Sequence, residues 1–269
     1  MVTNAFPNAF LAGIRVFPVK SLDALDLREA AILPSGALTY DREYALLDAL
    51  GKFVNAKRFA QVQQLRSIWD REHQVLCLHF DGSAEEARFH LPAQQAALEA
   101  WLSAHFEQPI TLNRNTHGGF PDDTKAPGPT LISTATLEAV ASWYPGVTVE
   151  EARRRFRANL EVGGVPAFWE DRLFAAAGEA VPFQIGDVLF HGVNPCQRCI
   201  VPTRDSFSAE ASSDFAQIFR TNREATLPPW ADRSRFNHFY RLAVNTCVPE
   251  SEAGKRVRTG DVLVLPFIG

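Results

Sequence analysis

At 269 residues, with 46% hydrophobic and 22% charged side chains, the chain has globular composition and enough length to bury a core without disulfides or zinc. A formal net charge of −4 argues against a general nucleic-acid binder. No apolar run reaches the ~18 residues that a membrane-spanning helix needs. Four cysteines, and a start with no basic stretch before an apolar one, point to a reducing, cytoplasmic setting without signal peptide or membrane anchor.

In chain order, residues 13–20 (GIRVFPVK) read as a strand ending at a proline-restricted bend. Residues 27–33 and 40–47 read as two more, with Pro34, Ser35 and Gly36 turning between them. Residues 48–52 make a hairpin connection in which Gly51 is free to take positive φ. Short strands follow over 65–69 and 75–80, and β signals recurring every ~8 to 12 residues suggest a sandwich or barrel. Leu98, Trp101, Leu102 and His105 recur at helical spacing and predict a helix over 93–106. Residues 113–129, rich in Gly, Pro, Asp and Thr, read as a long loop and a domain boundary. A second helix is expected over 133–143, with Ser133 or Thr134 as its N-cap. Residues 153–162 alternate as a strand, and 181–201 carry two strand-like runs around 192–195. Residues 205–223 are loop-like, then helical from Asp214, and strands over 239–244 and 262–267 close the chain.

The strongest chemical signal is NPCQRCIVPTRD, residues 194–205. As half of a zinc site, Cys196 and Cys199 need two further ligands, and Cys77 and Cys247 are isolated. As a thioredoxin-like redox pair they should open a helix, but Ile200, Val201 and Pro202 follow. Two readings stay open: two buried thiols on a strand end, or one thiolate acting alone, favoured by the neighbouring Arg198. In extended chain, Gln197 and Cys199 face one side, and Cys196 and Arg198 the other. The second signal is RRRFRANL, residues 153–160. Four arginines in five positions are either a solvated face or, at strand period, a wall of Arg153, Arg155, Arg157 and Asn159 that can receive an anion. Lys20-Ser21 is a surface lysine or a phosphate contact, and Asp41-Arg42, opening a strand, is a surface ion pair unless something else engages it.

Together these stretches resemble the MOSC family with its accompanying N-terminal β-barrel domain. The matching segments are IRVFPVKSL, TYDREYALLDALGKFVNAK, PTLISTATLEAV, RRRFRANLEV, PAFWEDRLF, NPCQRCIVPTRD and TGDVLVLP, in family order across nearly the whole chain. The resemblance is to the mitochondrial amidoxime-reducing component and its bacterial counterparts, which reduce N-hydroxylated compounds. It implies a β-rich α+β fold, with an N-terminal β-barrel domain over 1–120 and a MOSC β-barrel domain with a few helices over 121–269. The two domains are expected to interlock, with the crossover near 115–130.

The resemblance also implies roles. Cys199 matches the thiolate that ligates molybdenum. Lys20, Ser21, Arg42, Arg157, Asn159, Gln197 and Arg198 match residues that hold the molybdenum cofactor, a Mo-molybdopterin. Glu170 and Asp171 match an acidic pair of unassigned role. Ala158 departs from a proline common in the family, and the IVPT after Cys199 leaves Thr203 outside the expected site. With no cluster-binding domain after the last strand, electrons for a small-molecule substrate are expected from a separate reductase or electron carrier. The rival readings are a sulfur carrier using a Cys199 persulfide and a non-catalytic cofactor carrier. A shared site requires Lys20, Arg42, Arg157 and Cys199 to meet in one cleft.

Overall fold

A computed structural model describes residues 8–265; Pro266 and Phe267 of the expected last strand lie outside the described residues. The first part of the chain forms β1 (Phe10–Val16), β2 (Leu25–Leu27), β3 (Glu29–Ala31), β4 (Tyr44–Asp48), β5 (Leu65–Asp70), β6 (Val75–Phe80), β7 (Ala87–His90), α1 (Gln95–Phe106) and β8 (Ile110–Arg114). The second forms β9 (Leu131–Ser133), α2 (Thr134–Ser142), α3 (Val149–Phe156), β10 (Leu160–Gly163), β11 (Val181–Ile185), β12 (Val188–Gln197), α4 (Phe215–Ala225), β13 (Arg241–Cys247), β14 (Arg256–Arg258) and β15 (Leu263–Val264). The architecture is the expected β-rich α+β one.

The main sheet runs β15-β11-β12-β13-β9-β10-β1-β2. Its ends meet, because Phe10 bridges Val262, Leu11 N donates to Asp261 O at 2.8 Å and Leu263 N to Ala9 O at 2.9 Å. One flank of β1 is therefore shared between β2 and the segment entering β15, and the sheet curls round on itself. Alternation fills the interior. On β11, Val181, Phe183 and Ile185 are buried while Gln184 is exposed. Leu11, Ile14, Leu160, Phe190 and Val244 complete that core.

In the N-terminal part, β4 pairs with β8, and β5, β6 and β7 form an antiparallel sheet. Leu98, Leu102 and Phe106 of α1 pack there with Leu46, Leu78 and Leu112. A third cluster joins Leu137, Phe156, Phe215 and Phe219 of α2, α3 and α4. The parts interlock: β1 pairs with β10, and β3 pairs with β14.

Several expected elements hold. The strands at 65–70 and 75–80 are present, Gly51 takes φ +69°, and α2 is capped by Ser133, whose side chain accepts from Thr136 N at 3.1 Å. α4 begins after Asp214. Others are corrected. Residues 27–33 belong to a separate β2 and β3. The runs in 181–201 divide at Gly186-Asp187, and β12 absorbs 192–195 through two register irregularities.

The largest correction concerns the arginine run. Residues 153–156 end the helix α3, Arg157 is left-handed at φ 51°, and the strand begins only at Leu160. The two strand faces expected there do not exist. Thr148 caps the helix by accepting from Glu151 N at 3.1 Å. Glu150 and Glu151 occupy the first turn and three arginines the last, as the helix dipole favours. Ion pairs Glu150–Arg153, Glu151–Arg154 and Glu151–Arg155 at i,i+3 and i,i+4 reinforce it.

Candidate functional site

A cleft of about 900 Å³ opens between the β5 side of the N-terminal part and the barrel. Its walls come from the exit of β1, the turn at 40–43, the loop at 121–130, α3 and the end of β12.

The turn at 40–43 precedes β4 rather than opening a strand, which corrects the placement expected of Arg42. It is stitched to the exit of β1: Phe17 N donates to Asp41 Oδ1 at 2.9 Å and Arg42 N to Phe17 O at 2.8 Å. These bonds hold Arg42 in the left-handed region at φ 51°. The loop at 115–130 then closes over the turn through Gly119, at φ +63°. A Cβ there would lie 2.4 Å from Asp41 O, so the approach requires glycine.

Lys20 is buried and does not itself line the cleft. Its Nζ donates to Phe120 O and to Asp122 Oδ1, both at 2.8 Å, and Asp122 does line it. Burial pushes the Lys20 ammonium pKa down, although Asp122 opposes this. Burial would raise the Asp122 carboxyl, but Lys20 and Arg42 outweigh it and hold the group well below the usual carboxylate range. Burial would likewise lower Arg42, yet Asp41 and Asp122 leave it raised. Ser21, at φ 75°, lines the cleft beside them.

Arg157 faces the same cleft from the C-terminal end of α3. Its guanidinium lies 4.0 Å over the Phe17 ring and donates from Nη2 to Leu22 O at 2.7 Å. Burial, and then the nearby Arg42, pull its pKa down to about 10. Asn159, also lining, is only 2% exposed. Its amide donates to Arg15 O at 2.9 Å and accepts from Thr130 N at 3.2 Å, so much of its capacity locks β1 to the start of β9.

At the end of β12 the chain leaves extended geometry after Gln197. Gln197, Arg198 and Cys199 line the cleft, and so does Cys196. The expectation that Cys196 and Cys199 face opposite sides assumed extended chain throughout, but the strand ends at Gln197 and Cys199 lies beyond it. Arg198 Nε and Nη2 are buried without a hydrogen-bond partner. Such orphaned charged donors are costly unless an anion meets them.

Eleven Arg or Lys residues line the cleft against six Asp or Glu, in a chain whose net charge is negative. Among the described residues Lys57, Lys125, Arg157, Arg198 and Arg241 of this set make no ion pair, while Arg15, Arg42, Arg66, Arg153, Arg154 and Arg155 do. Sequence reading missed Asp122 and Arg241. Asp122 lay inside a loop read only as a linker, and Arg241 is a lone arginine on a strand, so neither carried a motif. Glu170 and Asp171 stand apart from the cleft. Both are buried, Asp171 pairs with Arg223, and Glu170 accepts from Thr136 Oγ1 at 3.0 Å.

Among the described residues no three His, Cys, Asp or Glu converge to hold a metal ion, so a metal here would need most of its ligands from a cofactor. Nor is any helix among them long and apolar enough to cross a membrane. The family model described as the MOSC domain matches residues 129–264, half of the chain. The chain belongs to the MOSC family. The MOSC N-terminal beta barrel domain matches residues 8–109, in the order the family expects. MOSC domains are associated with the molybdenum cofactor. The molybdenum cofactor sulfurase of Drosophila grimshawi is 25% identical over 226 residues, which cover 70% of this chain and 27% of that protein. The chain thus spans just over a quarter of that relative's length.

Proposed function

We propose that this MOSC protein is a molybdenum-cofactor-binding oxidoreductase that reduces N-hydroxylated small molecules with electrons from a separate reductase or electron carrier. The observation that supports this best is a cationic cleft in which unpaired guanidiniums and two thiols face one space. An anionic, metal-bearing cofactor fits that donor set: the orphaned Arg198 N–H groups and the unpaired Arg157 suit its phosphate, and a thiolate suits its metal.

In this reading Cys199 is the metal ligand, and Arg157, Arg198, Ser21 and Gln197 hold the pterin and its phosphate. When bound, the cofactor supplies the redox couple that takes up oxygen from an N–OH group. The chain's own residues bind and orient. Phe17 stacks under Arg157 and fixes its plane, and Asp122 ties Lys20 and Arg42 into a rigid wall. Asn159 holds β1 against the segment that precedes β9.

The test is expression in a host that makes the cofactor, beside a Cys199→Ser variant, with molybdenum per chain and oxidised pterin measured. Near-stoichiometric metal and pterin in the parent, with metal lost in the variant, is the expected result. A protein that loads neither while a control molybdoenzyme loads normally sinks the proposal. A second reading, a sulfur carrier, draws on the sulfurase relative and on the two thiols sharing one cleft. It predicts a persulfide on Cys199, detectable by mass spectrometry of the intact chain.

A further inference from the structure

Three of the unpaired cations lining the cleft are partly buried: Arg157, Arg198 and Arg241. The other two, Lys57 and Lys125, are exposed and screened by water. A phosphomonoester carries about −1.5 to −2 charge, so two recessed guanidiniums suffice to meet it. The proposed function assigns Arg157 and Arg198 to the cofactor, which leaves Arg241 over.

Arg241 opens β13, where it is the register partner of Gln197. Its Nη1 donates to Pro195 O at 3.0 Å and its Nη2 to Asn237 Oδ1 at 2.8 Å. The guanidinium is thereby fixed against the backbone just ahead of Cys196, and so beside the stretch that ends in Cys199. Its Nε–H is buried without a partner. A guanidinium presents five N–H donors; two are committed here and no carboxylate neutralises the charge. Burial, and then the nearby Arg235, lower its pKa, while Cys196 opposes this. Arg235, by contrast, is spent on the carbonyls of Ala175 and Val193. The cleft's size, near the upper end of the ~300–1,000 Å³ typical of small-ligand pockets, leaves room for a substrate beside a cofactor.

We propose that Arg241 recognises a carboxylate or similar oxyanion on the substrate, so that the preferred substrates are small anionic N-hydroxylated compounds. This rests on the proposed function for the placing of the cofactor, but its test reads binding without turnover.

Two probes serve, benzohydroxamic acid and its para-carboxy derivative, which near neutral pH differ by one negative charge. Their dissociation constants are measured by calorimetry on the protein as isolated, without reductant. The parent protein binds the carboxylate more tightly, and Arg241→Met reduces that preference about tenfold, the scale of one charge-assisted contact. Arg241→Lys restores part of it. Should Arg241→Met fail to fold, Arg241→Gln carries the same test, since it keeps a donor for the Pro195 carbonyl without the charge. A parent protein with no preference, or a preference that survives in the neutral variant, overturns the proposal. So does loss of molybdenum and pterin in Arg241→Met, which would make Arg241 part of the cofactor's hold. Reductase assays are scored separately: no turnover with a collapsed preference fells the oxidoreductase reading and leaves the anion subsite standing.

Discussion

Lys20 and Asp122, 102 residues apart in the chain, are joined ammonium to carboxylate at 2.8 Å, Asp122 lining the cleft and Lys20 buried out of it. Lys20 is buried, while the Asp122 side chain is 58% exposed, so solvent screens the pair. Asp122→Asn keeps an acceptor for Lys20 but removes the counter-charge of a buried ammonium, and is expected to cost about 1–2 kcal/mol. The sign with pH follows from the Asp122 carboxyl being held below its ordinary value by Lys20 and Arg42, against burial. The folded state binds that proton less readily than the unfolded state. Its contribution is therefore full above about pH 4 and declines as pH falls below that. Urea titrations should show a constant gap between parent and Asp122→Asn from pH 5 upward, narrowing only in acid. A gap that changes between pH 6 and 8 contradicts this.

Removing the cap of α3 tests why the arginine run is helical. Thr148→Ala loses the acceptor for Glu151 N and is expected to lower stability by about 1 kcal/mol. Thr148→Ser should recover most of it. Both are read from urea midpoints at unchanged slope. Equal stability of Thr148→Ala and the parent would show that tertiary packing of Phe156 alone fixes the helix.

That helix also marks where the sequence was misleading. Residues 153–160 alternate well enough to predict a strand. The competing signal was upstream, in Thr148-Val-Glu-Glu151, a threonine followed three residues later by glutamate. The alternation continues by accident across a helix end, a left-handed Arg157 and a strand start. Elsewhere local chemistry was decisive: Ser133 capped its helix, and Gly51 took the positive φ its hairpin needs. The convergence of Ser21, Arg42, Arg157 and Cys199 on one cleft came from the resemblance, since the curling of the sheet is a long-range event that no local pattern encodes. The facing of Cys199 was unreadable for a related reason. The strand stops at Gln197, which frees Cys199 from its alternation, and a strand end leaves little trace in a single sequence.

Glu170 gives a pH dependence of the opposite sign to Asp122. Its carboxyl is fully enclosed, and burial, then the adjacent Asp171, push it up to about 7. The folded state holds this proton where the unfolded state has released it. Stability is therefore lost as pH rises from about 4.5 to about 7 and is flat beyond. Glu170→Gln keeps an acceptor for Thr136 and cannot ionise. Relative to the parent it should gain on the order of 2 kcal/mol between pH 5 and 8, at about 1.4 per pKa unit and discounted for relaxation around the charge. A parent-to-variant difference independent of pH would mean that Glu170 is already ionised at pH 5.

Arg157 separates holding the pterin from holding the metal. It stacks on Phe17 and bonds the Leu22 carbonyl, yet no carboxylate pairs with it among the described residues. Arg157→Met keeps an unbranched apolar stem against Phe17, so folding should survive while the charge is lost. If the guanidinium meets the cofactor's phosphate, pterin and molybdenum should fall together, by about tenfold in retention through gel filtration. Cys199→Ser, by contrast, removes the soft ligand but leaves the phosphate contacts, so pterin should outlast metal. Arg157→Lys supplies a point charge without the planar fork and should fall between parent and methionine variant. The two ratios of pterin to metal, measured side by side, then distinguish the roles. Equal ratios in Arg157→Met and Cys199→Ser would mean that the cofactor is gripped as one unit at the thiolate, with Arg157 serving only to brace the exit of β1.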